Sequence, residues 1–140
     1  MADEFSLQVA AEVTHLTTIR GFVEKSALTL GGDPAAISHV ITAVTEAVTN
    51  IIRHGYRSRS GIIEIDVNRD RNTLLVHLRD QAPPFDPTTV PPPDLTVPLE
   101  KRPVGGMGVH LMRQLVDKMI YRLTPQGSNE LILVKEDFAA

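Results

Sequence analysis

Eight of the ten prolines lie in one stretch, residues 81–104, QAPPFDPTTVPPPDLTVPLEKRPV. Proline locks φ, donates no backbone hydrogen bond and breaks helices, so neither a helix nor an interior strand runs through this segment. It must be a long loop, and a loop of this length in a compact domain is functional or disordered. The chain has 140 residues, one domain's worth, so the loop is read as an excursion from a single domain spanning 1–140.

Regular structure is expected on both sides of it. FSLQVA (5–10) alternates apolar and polar residues and reads as a strand. Val13, Leu16, Ile19, Phe22, Val23, Ala27 and Leu30 recur at helical spacing, and Gly31-Gly32 stops that helix. Asp33-Pro34 restarts the chain as an N-cap followed by a first-turn proline, opening a helix that runs to about His54. GIIEIDVN (61–68) and TLLVHLRD (73–80) read as two strands of a hairpin around RDRN. After the loop, GGMGVHLMRQLVDKMIY keeps a helical period as far as Met119, and strands near 120–124 and 130–135 close the chain. Hairpins outnumber βαβ units. The expected fold is α+β, a two-layer sandwich with about three helices on one face of a mixed, mostly antiparallel sheet.

Composition removes several classes. The chain has no cysteine, which excludes a disulfide scaffold, thiolate metal sites and thiol catalysis. Its net charge of −3 lacks the basic surplus of a protein that grips a phosphate backbone, so no direct nucleic acid is expected. No apolar run reaches about 18 residues, and the acidic start MADEFSLQVAAEV is not laid out as a signal peptide. A soluble intracellular domain away from membranes is expected.

The helix over 34–54 has two faces. At about 100° per residue, Val40, Ile41, Val44, Val48, Ile51 and Ile52 gather around Ile37 as the core stripe. Glu46, Asn50 and His54 form a second line, with Ala43 and Ala47 beside it leaving room for an approaching group. A carboxylate and an amide about 6 Å apart on one face suit an oxygen-liganded cation and a reacting hydroxyl. The same spacing also describes an ordinary solvated face, and His54 before Gly55 reads as a helix-end residue facing the dipole. Asp80, at a strand end, either accepts from a ligand amine while the sheet holds it or caps a turn. Phe85 can wall an apolar pocket. Gly105, Gly106 and Gly108 open a helix, where backbone N–H groups and the dipole favour phosphate. No Lys-Ser/Thr pair follows and no βαβ unit surrounds them, so this is neither a P-loop nor a dinucleotide fingerprint.

In this order, EAVTNIIRHGY, DQAPPFDP and GGMGVHLMRQLVD resemble the three nucleotide boxes of the Bergerat-fold ATPases, the superfamily of gyrase, the heat-shock chaperone, histidine kinases and the mismatch-repair ATPase. The nearest likeness is to the stand-alone bacterial anti-sigma-factor serine/threonine kinases, and it covers nearly the whole chain. The resemblance implies ATP and Mg²⁺ as cofactors. It makes Glu46 the general base, Asn50 the Mg²⁺ ligand and Asp80 the aspartate that accepts from the adenine amine. Phe85 joins the first glycine box, and Gly105, Gly106, Met107, Gly108 and Val109 form the second, around the phosphates. Residues 86–104 become the ATP lid. It further implies phosphorylation of a small anti-sigma-factor antagonist, sequestration of a sigma factor and a homodimer, with Arg20 a candidate partner contact. Arg53, His54, Lys101 and Arg102 receive no definite role.

Three departures stand out. Ala82 replaces the usual first glycine of its box. If that position needs φ > 0, alanine strains it by about 1 kcal/mol or more; if it needs only a small side chain, alanine fits. The P-P-P run stiffens the lid. Asn129 lies in the region where relatives place a hydroxyl against the base. An alternative function follows: a nucleotide-dependent, partner-switching module with little or no kinase activity. A histidine-kinase catalytic domain would also need a phosphoacceptor helical hairpin, for which 140 residues leave no space.

Overall fold

The computed structural model describes residues 4–92, 94–101 and 106–139. Its elements are β1 (Glu4–Ala10), α1 (Leu16–Thr29), α2 (Pro34–Asn50), β2 (Ile62–Asp70), β3 (Thr73–Asp80), α3 (Gly106–Leu115), β4 (Lys118–Leu123) and β5 (Asn129–Lys135). Short 3-10 turns lie at Val13–His15, Pro87–Thr89 and Leu99–Lys101. The strands form one sheet in the order β1-β2-β3-β5-β4, with every pairing antiparallel. The three helices cover one face, giving the expected α+β layers on a sheet antiparallel throughout.

The covered face supplies the core. Ile63, Ile65 and Val67 of β2, Leu74, Val76 and Leu78 of β3, and Leu133 of β5 are almost wholly buried. They meet Ile19 and Val23 of α1, Val40, Val44 and Val48 of α2, and Met112 of α3 in one cluster. The alternation of each strand sets this division, because successive side chains point to opposite faces.

Local signals explain the boundaries. Gly31 adopts φ +89° and donates to Leu28 O at 3.0 Å, while Gly32 N–H reaches Ala27 O at 3.0 Å. Those two bonds close α1 in a left-handed cap that glycine adopts without strain. Asp33 then caps α2 by accepting from Ala35 N at 3.1 Å. The α-helical geometry ends at Asn50, and Ile51–Gly55 follow as a wider π turn. The straight helix expected to His54 is thus interrupted, and such wide turns recur at functional sites. Thr49 Oγ1 donates to Thr45 O at 2.7 Å just before it, a back-bond that bends helices.

Ala43 and Ala47 are both buried, α2 packs against α3, and Ala47 lines the cavity described below, on the side where room beside Glu46 and Asn50 is expected. Small side chains set how closely two helices approach. Ile41 and Ile51, expected in the core stripe, are only half-buried. α3 ends at Leu115, short of the expected Met119, because Asp117 turns the chain into β4. Its N–H donates to Val134 O at 2.8 Å, and its carboxylate accepts from Glu136 N at 2.7 Å.

The segment Pro34–Gly55 is long and apolar enough, by length and composition alone, to cross a membrane. Here it is the central helix of the core, with Val40, Val44 and Val48 packed inside.

The other face of the sheet is polar along one row. Gln8, Glu64, Arg79, Glu130 and Arg122 stand side by side across all five strands. Arg79 donates to Glu64 at 3.2 Å and to Glu130 at 3.0 Å, and also pairs with Asp66; Arg122 reaches Glu130 at 2.6 Å. Burial alone would raise the carboxyls of Asp66 and Glu130. The hydrogen bonds outweigh it, from Ser6 and Arg79 onto Asp66 and from Arg122 and Arg79 onto Glu130. The charges of the arginines and His77 add to them, and both carboxyls lie below the usual range.

Candidate functional site

A cavity of about 390 Å³ opens between the C-terminal end of α2, the adjoining ends of β3 and β5, the loop after β3, and α3. Its walls are mainly apolar, with Ile51, Phe85, Val90, Val109, Met112 and Leu131 among them. Its polar groups are few: Asp80, Asn129 and Tyr121 at the strand ends, and Asn50, His54 and Arg57 toward α2 and the turn after it. An apolar pocket with a few convergent polar groups is the usual form of a small-molecule site.

The start of α3 lies over the polar line of α2. A Cβ added at Gly108 would stand 3.0 Å from Glu46 Oε2, 3.6 Å from Asn50 Nδ2 and 3.7 Å from Asn50 Oδ1. Glu46 and Asn50 are both half-buried. The structure therefore brings together Glu46, Asn50 and Gly108, which lie far apart in sequence. Gly106 opens α3, and Val109 is buried against the cavity. Gly105, and the side chain of Met107, lie outside the described residues, as does Arg102. His54 reaches the cavity from within the π turn rather than by continuing the line of Glu46 and Asn50.

Asp80 ends β3 opposite Asn129. It is 7% exposed, and its Oδ1 accepts from Ala82 N at 3.0 Å and Asn129 Nδ2 at 3.0 Å. Burial pushes its carboxyl above the usual range, against the pull of those two donors. Ala82 resolves the first departure. It is not among the non-glycine residues with positive φ, which are Arg57, Ser58, Arg71 and Asp137. Its Cβ lies 3.1 Å from where a Cβ at Gly55 would stand, so the position asks for a small side chain and not for a left-handed backbone.

The beginning of the proline-rich loop is fastened down. Asp86 caps the turn at Pro87–Thr89 by accepting from Thr88 N at 2.8 Å. Arg113 of α3 donates to Val90 O at 2.6 Å and to Thr88 O at 2.7 Å. Phe85, half of whose surface is exposed, leans on the cavity from this loop. Farther on, Asp94 accepts from Thr96 N at 2.9 Å, and Lys101 is exposed.

Sequence reasoning gave too little weight to Asn129 and passed over Tyr121 and Arg113. Asn129 is 6% exposed and has a partner on every polar atom. Its Oδ1 accepts from Tyr121 Oη at 2.5 Å and Phe85 N at 3.1 Å, and its Nδ2 donates to Asp80 and to Ala82 O at 3.0 Å. Only the pairing of β3 with β5 could have located it, and one sequence does not give that register.

The histidine kinase-like ATPase domain family matches residues 9–135 of the chain. Serine-protein kinase RsbW of Bacillus cereus strain AH820 and that of Bacillus anthracis are each 28% identical over 119 residues, covering 82% of this chain and 74% of theirs. A crystal structure of the RsbU and RsbW domains of a Mycobacterium tuberculosis protein superposes with a TM-score of 0.65 at 14% identity. The alignment takes in 96% of this chain and 32% of that one, so the chain spans about a third of that structure. The family match, the shared fold and a cavity built from the ends of α2, β3 and β5 agree: the chain belongs to the histidine kinase-like ATPase domain family.

Proposed function

We propose that the chain is an ATP- and Mg²⁺-dependent serine/threonine protein kinase and anti-sigma factor, which phosphorylates a small antagonist protein and sequesters a sigma factor. The observation that carries this reading is the seating of Gly108 on Glu46 and Asn50, beside a cavity floored by Asp80. The likeness to RsbW serine-protein kinases supports the reaction class.

On this reading the base enters the apolar cavity and its amine meets Asp80. The phosphates lie toward the start of α3, where Gly106, Met107, Gly108 and Val109 offer backbone N–H groups and the helix dipole; Gly105 belongs to the same box. Among the described residues no three His, Cys, Asp or Glu cluster to enclose a metal. Asn50 Oδ1 would be a protein ligand to Mg²⁺, an ion that takes few protein ligands beside substrate phosphates. The ion, when bound, neutralises phosphate charge. Phosphoryl transfer asks mainly for positioning and electrostatics, and Glu46 beside Gly108 is placed to hold or accept the proton of a serine hydroxyl. Phe85 covers the base from just before the loop at 86–104, which acts as the lid of a single domain. The setting is the bacterial cytoplasm, with a homodimer and no direct nucleic-acid or membrane contact.

The test is nucleotide titration by calorimetry, with and without Mg²⁺, followed by phosphoryl transfer from labelled ATP to a candidate antagonist. Binding that loses its Mg²⁺ dependence in Asn50→Ala, with transfer lost in Glu46→Gln, supports a kinase. Binding of ATP with no transfer to any antagonist moves the reading to a partner-switching module, and no binding of ATP or ADP removes both.

A further inference from the structure

We propose that Asn129 is a positioning residue that makes the cavity select an amino-bearing base over its carbonyl counterpart, by filling one oxygen of Asp80 and leaving the other as a free acceptor. The inference rests on the reading of the cavity as a nucleotide site and goes beyond it in naming what enforces the choice of base.

Two groups that each have only one hydrogen-bonding role fix the orientation of the Asn129 amide. Phe85 N–H can only donate, so the atom it meets at 3.1 Å must be Oδ1. Ala82 C=O can only accept, so the atom facing it at 3.0 Å must be Nδ2. Tyr121 agrees with this assignment. Burial first, and then the charge of Asp86, push its phenol above the usual range, so its hydroxyl keeps its proton and donates to Oδ1.

With the amide fixed, Asn129 presents an N–H to Asp80 Oδ1, which also accepts from Ala82 N. That oxygen is filled. None of the described residues donates to Oδ2, which leaves it as the acceptor that Asp80 offers to a ligand. An acceptor there meets an amine and opposes a carbonyl oxygen. A proton added to Asp80 must go to Oδ2, turning it into a donor and reversing the preference. Other titratable or charged groups around the same cavity are Tyr121 on β4, with Asp86 of the loop near it, and His54 and Arg57 in the segment after α2. Arg79 and Glu64 lie in the second cleft that Asp80 borders.

The test measures Kd for ATP and for ITP, which carries a carbonyl where adenine has its amine, across pH. The proteins are the unmodified chain and Asn129→Asp, each checked for folding by thermal melting. The unmodified protein is expected to prefer ATP by at least about tenfold, since an unmet hydrogen bond to a charged group costs about that much. Asn129→Asp keeps the shape but sets a second carboxylate against Asp80, and two such groups share a proton. Its preference for ATP should fall to within about threefold, and the pH midpoint of ATP binding should rise by about one unit or more. If Asn129→Asp does not fold, Asn129→Ala removes the donor without adding charge and should lose most of the preference. A folded Asn129 variant that keeps both the preference and the pH midpoint overturns the inference while leaving the nucleotide reading intact. Failure of the unmodified chain to bind either nucleotide overturns both.

Discussion

Gly108 sits directly over Glu46, so close that a methyl group on its Cα would stand 3.0 Å from Glu46 Oε2. The two residues come from different helices, and the contact joins a backbone that can hold phosphate to a side chain that can take a proton.

Gly108→Ala is expected to separate stability from function. Alanine is the better helix former by about 1 kcal/mol, and the far end of Glu46 can shift a few tenths of an ångström. Melting temperature should hold or rise, while phosphoryl transfer falls by about tenfold or more because Glu46 is displaced. Circular dichroism melting beside a labelled-ATP assay checks this; unchanged transfer would mean that the contact has no part in the reaction.

Glu46→Gln keeps the size and loses the base. Transfer should drop by about two to three orders of magnitude, the usual range for one general base, while the Kd for ATP stays within about threefold. A comparable rise in Kd would place Glu46 in binding instead.

Asp80→Asn should trade binding for stability. An acid whose folded pKa is raised favours folding below its unfolded pKa, and that contribution is lost as pH climbs through the folded value. At neutral pH the buried charge is therefore a net cost. Asparagine removes the charge and still offers an oxygen to Ala82 N and Asn129 Nδ2. The melting temperature at pH 7 should match the unmodified protein's or exceed it by about 2–6 °C. The gain should shrink toward pH 4, and ATP affinity should fall by at least about tenfold. A variant that melts lower at pH 7 than the unmodified chain contradicts this account of Asp80.

Asp66 and Glu130 carry the opposite sign. Their folded pKa values are lowered, so their contribution is present above the ordinary carboxylate range and is lost as pH falls through the folded values. Urea unfolding should weaken steadily from about pH 5 to about pH 2.5. Asp66→Asn should destabilise the protein at pH 6 and change it little at pH 2.5. An equal loss at both would locate the effect in packing.

Arg113→Ala should free the start of the lid. With its bonds to Thr88 O and Val90 O gone, limited proteolysis near residues 88–92 is expected to be faster than in the unmodified chain. ATP affinity should fall by a few-fold, in keeping with two lost hydrogen bonds. An unchanged cleavage pattern would show that the loop is held by other contacts.

Much of this architecture is legible in the residues. The caps at Gly31 and Asp33, the alternation of β2 and β3 and the proline-rich break mark boundaries within a few positions, because each is a local steric rule. The line of Glu46 and Asn50 follows from helix geometry alone. What could not be read is long-range. Nothing local says that Gly108 meets Glu46 and Asn50, that Asn50 hands over to a π turn, or that Asn129 faces Asp80. Those depend on which helix crosses which and on the register of strands separated by the whole lid. Ala82 was ambiguous for a related reason: a sequence names a residue, while its φ is settled by its neighbours.

The charged row on the open face has a consequence for assembly errors. Arg79 lies across from Glu130, and the next pair along is Asp80 with Asn129. If β3 slid two places along β5, Arg79 would face Ile132 and the buried carboxylate of Glu130 would lose a guanidinium partner, which is penalised because an unpaired buried charge is costly. Such a slip would also part Asp80 from Asn129. The row acts as a proofreading device: misaligned chains are rejected on the open, charged face, and the face that holds the cavity inherits the correct alignment.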